Sequence, residues 1–83
     1  MKKICVTWLD TNENSLGGWI EKSDLDKSQL CSVDSLGWLY KETDEFIVIL
    51  ADKDTNDEDD IFGRSQVIPK AVIKKIQELQ ETQ

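Results

Sequence analysis

Arg64 is the single arginine in a chain of 83 residues. Its planar guanidinium is the side chain best suited to grip a phosphate or carboxylate through two parallel hydrogen bonds. Lys70, Lys74 and Lys75 follow as the local basic cluster. Trp19 comes directly after Gly17 and Gly18, beside a polar stretch, where an indole is expected at the surface. Arg64 and Lys70 on phosphate, with Trp19 stacked on a base, would hold a nucleotide-like ligand. The competing reading pairs Arg64 with neighbouring carboxylates such as Asp59 or Asp60, an exposed and weak ion pair. Trp8, Trp38 and Tyr40 are the other aromatic candidates, and a core this small needs two of the three tryptophans as structure.

Residues 52–60 carry six carboxylates and one lysine. Asp52, Asp54 and Asn56 match the first three ligand positions of an EF-hand loop. The match then fails. Asp57 stands where the sharp turn needs glycine, and Gly63 stands where a bidentate glutamate is needed. No metal site is expected. The segment reads as a solvated hairpin tip. Its functional alternatives are a weak, opportunistic cation site or an acidic prong, Asp57, Glu58, Asp59 and Asp60, set against a basic partner.

The missing residue types exclude several chemistries. There is no histidine, which removes Ser-His-Asp and Cys-His relays and histidine-based zinc sites. Two cysteines, Cys5 and Cys31, cannot supply a four-thiolate site, and two reduced thiols are expected. Cys5 alternates with Ile4 and Val6 and packs as a small apolar group. No glycine-rich phosphate loop is present, and no cofactor is expected. Catalysis would have to run on carboxylates, lysines and a tyrosine, and nothing specific points to it, so an enzyme is the third-ranked reading. The net charge of −7 argues against duplex nucleic acid, which requires a basic footprint.

These residues must be positioned by one small domain spanning 1–83. No apolar run approaches the ~18 residues of a membrane span, and the basic start turns polar before a signal-peptide core forms. Residues 2–9 alternate as a strand, with Ile4, Val6 and Trp8 on one face. Residues 10–35 read as a long loop with one helical turn capped by Ser23. Residues 36–41 and 46–51 form a hairpin across a tight polar turn, the second strand being central. Residues 61–68 make a weaker strand that Pro69 stops. Pro69 then opens either a longer helix or a single helical turn before a last strand, and the order of elements favours the strand. The expected fold is all-β: a five-stranded SH3-like barrel with a short helical turn near the C-terminus.

Val6-Thr7-Trp8-Leu9-Asp10, Gly18-Trp19, Ser35-Leu36-Gly37-Trp38-Leu39, Glu42-Thr43-Asp44-Glu45-Phe46-Ile47-Val48-Ile49 and Val67-Ile68-Pro69-Lys70-Ala71-Val72-Ile73 resemble the blocks of small, mostly uncharacterised proteins of tailed bacteriophages and prophages. The likeness covers most of the chain except its two polar loops. It implies a cytoplasmic setting in a bacterial host and no catalytic residues. The Ile68-Pro69-Lys70-Ala71-Val72 block is also similar to the helical turn and last strand of SH3 domains. The chain lacks the acidic-aromatic signature of those that bind proline-rich peptides.

The expected function is that of a non-enzymatic accessory binding protein, a homo-oligomer that counteracts host defence by sequestering a phosphorylated, nucleotide-like ligand. The alternative is an acidic interaction module that inhibits a host nucleic-acid-binding protein.

Overall fold

The computed structural model describes residues 1–11, 18–54 and 61–80. Five antiparallel strands form one sheet: β1 (Lys3–Asp10), β2 (Cys31–Glu42), β3 (Phe46–Lys53), β4 (Phe62–Pro69) and β5 (Ile73–Leu79). A short helix α1 (Lys22–Leu25) precedes β2, and a 3₁₀ turn (Lys70–Val72) joins β4 to β5. The spatial order is β4-β3-β2-β1-β5. The protein is therefore mainly β, as its period-two patterns require. The pairing does not close into a barrel: β4 and β5 are the two edges of the sheet.

β1 sits between two partners, with β2 bonded to one of its edges and β5 to the other. Ile4, Val6 and Trp8 point inward, opposite Gly37, Ser35 and Val33 of β2. Ile4, Val6, Ile47, Ile49 and Ile68 make the buried core, with Trp8, Leu39, Val72 and Ile73 packed against it. Full burial of each aliphatic side chain contributes about 1.5–3 kcal/mol. Among the described residues no polar side chain is buried. Leu50, 4% exposed, lies outside this cluster, level with Trp38.

The β2–β3 turn has a local cause. The Thr43 hydroxyl accepts hydrogen bonds from the backbone N–H groups of Glu45 and Phe46, both at 3.1 Å. A threonine in this position offers the backbone a turn instead of a continued ladder. After β4, the Lys70 N–H donates to the Glu45 carbonyl at 2.8 Å, which ties the 3₁₀ turn to this hairpin end.

Two further expectations change. β2 begins at Cys31, five residues before the expected start at Leu36. The added segment pairs with β1 from Asp10↔Cys31 to Val6↔Ser35, and side chains reinforce it. Thr7 Oγ1 donates to Asp34 Oδ1 at 2.6 Å, and Trp8 Nε1 donates to Ser35 Oγ at 2.9 Å. The helical turn starts at Lys22, and its N-cap is Glu21, without a side-chain cap bond, rather than Ser23. Its Lys22–Asp26 ion pair at 2.9 Å spans one turn, where exposed pairs add only a few tenths of a kcal/mol. The C-terminal segment is a short turn followed by a strand, as the order of elements leads one to expect. Among the described residues no helix is long and apolar enough to cross a membrane.

The main constraint on β2 is at Gly37. β2 pairs with β3 only from Trp38↔Leu50 to Glu42↔Ile47, while its first half pairs with β1 alone. β3 continues past Leu50 with β4 as its partner, to Lys53↔Phe62. Along β2 the two strands are apart up to Gly37 and meet immediately after it. A Cβ at that position would lie 2.7 Å from the Leu50 carbonyl oxygen. Backbone cannot yield as a flexible side chain can. Gly37→Val is therefore expected to destabilise the fold by about 1–3 kcal/mol, the usual scale of overpacking, in urea denaturation. Wild-type stability would show that β2 and β3 separate freely there.

Candidate functional site

The parting of β2 from β3 leaves a groove. One end is lined by Lys3, Leu36, Gly37, Trp38, Ala51 and Leu79, with a volume of about 260 Å³. The other is lined by Leu36, Ile49, Ala51, Arg64, Ser65 and Gln66, with a volume of about 350 Å³. Leu36 and Ala51 belong to both, so the two hollows adjoin.

Each lining residue has a strand that places it. Lys3, Trp38 and Leu50 fall in one cross-strand row, with Leu79 beyond Lys3. Cys5, Leu36 and Gln77 make the next row on the same face. Leu36 is 64% exposed, unusual for a leucine inside a sheet, because β3 has already turned away from it. The Lys3 ammonium lies 5.8 Å from the Trp38 ring centroid, and the Lys53 ammonium lies 5.2 Å from it. Two cations thus sit within cation–π range of one indole. Tyr40 and Phe62 meet edge to face at 5.5 Å between centroids, elsewhere on the β3–β4 side of the molecule.

Arg64 reaches the groove, but its guanidinium is engaged. Nε donates to Asp52 Oδ2 at 2.8 Å and Nη2 donates to Asp52 Oδ1 at 3.3 Å. The partner is Asp52 on the adjacent strand rather than Asp59 or Asp60. Arg64 also has φ of 42°, a left-handed conformation unusual for a side-chain-bearing residue. The Arg64 hydrogen bonds and charge hold the Asp52 carboxyl below the usual carboxylate range and raise Arg64 in turn.

Lys70 is not at this site. It pairs with Glu42 Oε2 at 2.8 Å, and that bond and charge lower the Glu42 pKa. Five residues of β4 separate it from Arg64, so that the two are six positions and roughly 20 Å apart along an extended chain. Trp19 is exposed at 97%, as its glycine neighbours suggest, but lines neither hollow. The expected trio of Arg64, Lys70 and Trp19 is therefore not assembled. The acidic prong Asp57, Glu58, Asp59 and Asp60 lies outside the described residues. Among the described residues no group of three metal-ligating side chains converges, and Cys5 and Cys31 are free thiols.

Comparison with known proteins found no matching family model, no similar curated protein and no similar solved structure.

Sequence reading missed Lys3, Trp38 and Lys53 as partners because they come from three strands. One signal was present. Gly37 precedes Trp38 in a strand, and a strand glycine marks a bulge or a close backbone approach.

The two lowered carboxylates set a pH dependence. Each stays ionised in the folded chain at pH values where the unfolded chain is taking up protons. Their contribution is present above the ordinary carboxylate pKa of about 4 and is lost as pH falls through the lowered value. A Glu42→Gln/Asp52→Asn variant should therefore lose less thermal stability than wild type on acidification below about pH 4, measured by melting curves at successive pH values. Parallel curves would show that neither pair contributes.

Proposed function

We propose that this chain is a non-enzymatic binding protein whose groove takes a planar aromatic ligand carrying negative charge, a nucleotide being the class that fits. One observation carries the reading. In a chain with 17 acidic and 10 basic residues, the described residues that line the groove include Lys3 and Arg64, an indole and apolar side chains, and no acidic side chain, the nearest being Asp52, which Arg64 holds. Chance placement on so acidic a surface would put carboxylates there first. Ligand sites are mostly apolar hollows of about 300–1,000 Å³ with a few convergent polar groups.

The chemistry follows from the side chains. Lys3 and Lys53 rest against Trp38 in cation–π contacts worth about 0.5–1 kcal/mol each at exposed sites. A phosphate offers each ammonium a charge-assisted hydrogen bond worth about 1.5–3 kcal/mol. The lysines would move to the phosphate and leave an indole face for the base. Arg64 uses two of its five N–H donors on Asp52, and three are left for a second anionic group. A ligand with charge at both ends suits the adjoining hollows. Sequestering such a ligand against host defence is the role suggested by the resemblance to small phage proteins.

Isothermal titration with mononucleotides and cyclic dinucleotides tests this. Binding is expected, and Lys3→Ala/Lys53→Ala should weaken it about tenfold or more, the loss of roughly one charge-assisted bond. Trp19→Ala and Lys70→Ala should leave affinity unchanged. No binding at millimolar nucleotide, or an unchanged affinity in the double lysine variant, would overturn the assignment.

A further inference from the structure

The free edge of β5 carries a second reading, independent of the groove. β1 pairs with one side of β5, and among the described residues no strand pairs with the other. Its sequence is Ile73-Lys74-Lys75-Ile76-Gln77-Glu78-Leu79. The pattern is self-complementary about Ile76. When two such strands run antiparallel about a two-fold axis at Ile76, residues equally distant from it face one another. Lys74 then meets Glu78, Lys75 meets Gln77, Ile73 meets Leu79, and Ile76 meets its own copy. Each unlike pair occurs twice.

We propose that two copies of this chain associate through antiparallel β5–β5 pairing centred on Ile76, extending one sheet through both. Edge lysines ordinarily repel a second strand. Here the glutamate four residues on converts that repulsion into attraction, in this register alone. Centred on Lys75, the pairing sets that lysine against its own copy, and a parallel in-register arrangement also opposes like charges. Centred on Gln77, it sets Ile76 against Glu78 and Lys75 against Leu79. Ile76 is 42% exposed on the edge, and a second Ile76 covers it. Glu78 has one exposed partner within its own chain, Lys2 at 3.7 Å. Lys74 and Lys75 have no ion pair among the described residues.

The other edge is less suited. β4 carries a left-handed residue, Arg64 with φ of 42°, and Pro69 lacks the N–H that a ladder needs.

Sedimentation equilibrium and native mass spectrometry of the full chain test the pairing. A species of twice the 9.5 kDa chain mass is expected. Glu78→Lys and Lys74→Glu singly should each weaken dimerisation at least tenfold while circular dichroism stays that of the folded chain. The Lys74→Glu/Glu78→Lys double variant should restore it, because each lysine again faces a glutamate. In a Cys5→Ser/Cys31→Ser background, Ile76→Cys should form an interchain disulfide. A monomer at all concentrations, a ring of three or more copies, or a dimer indifferent to single charge reversal would overturn the proposal.

Discussion

The close approach of Gly37 to the Leu50 carbonyl is the contact on which the rest of the arrangement depends. β2 is long enough to pair with β1 over one half and with β3 over the other. It can serve both only by crossing β3 where no side chain intervenes. The consequence is a pair of hairpin units, β1–β2 and β3–β4, that share a short seam and then diverge. The core isoleucines lie on one side of that seam. Trp38 and Leu50 lie on the other, and the hollow between the diverging strands is what remains.

Much of the fold was legible because its signals are local. Ile4, Val6 and Trp8 alternate, Phe46 to Ala51 form an apolar run, and Pro69 marks the end of a strand. The start of β2 was not legible. Cys31-Ser32-Val33-Asp34-Ser35 has little apolar content of its own. It becomes strand because β1 supplies partners 27 positions away, through Thr7 to Asp34 and Trp8 to Ser35. Barrel closure fails for a related reason. Element order resembles that of a small barrel, but closure requires the edge strands to meet, and order alone does not set that.

The candidate site divides the same way. Arg64 could be singled out because it is the sole arginine, and its ion pair was foreseeable in kind although the partner is Asp52. Lys70 and Trp19 were chosen for chemical type, and type does not give position. Lys70 is drawn to Glu42 across the β2–β3 turn, and Trp19 stands off the sheet. Trp38, Lys3 and Lys53 are far apart in the chain and become one constellation only through the registers Lys3↔Trp38↔Leu50.

Charge placement reinforces that reading. Three cations have carboxylate partners on neighbouring elements: Lys2 with Glu78, Lys70 with Glu42, Arg64 with Asp52. Lys3 and Lys53 lie over the Trp38 face, so the strands that carry them bring two positive charges to one indole. Both the groove and the free β5 edge arise from the same property. A five-stranded sheet that does not close leaves strand surface without an internal partner, and in each place the exposed residues have a chemistry that a second molecule can complete.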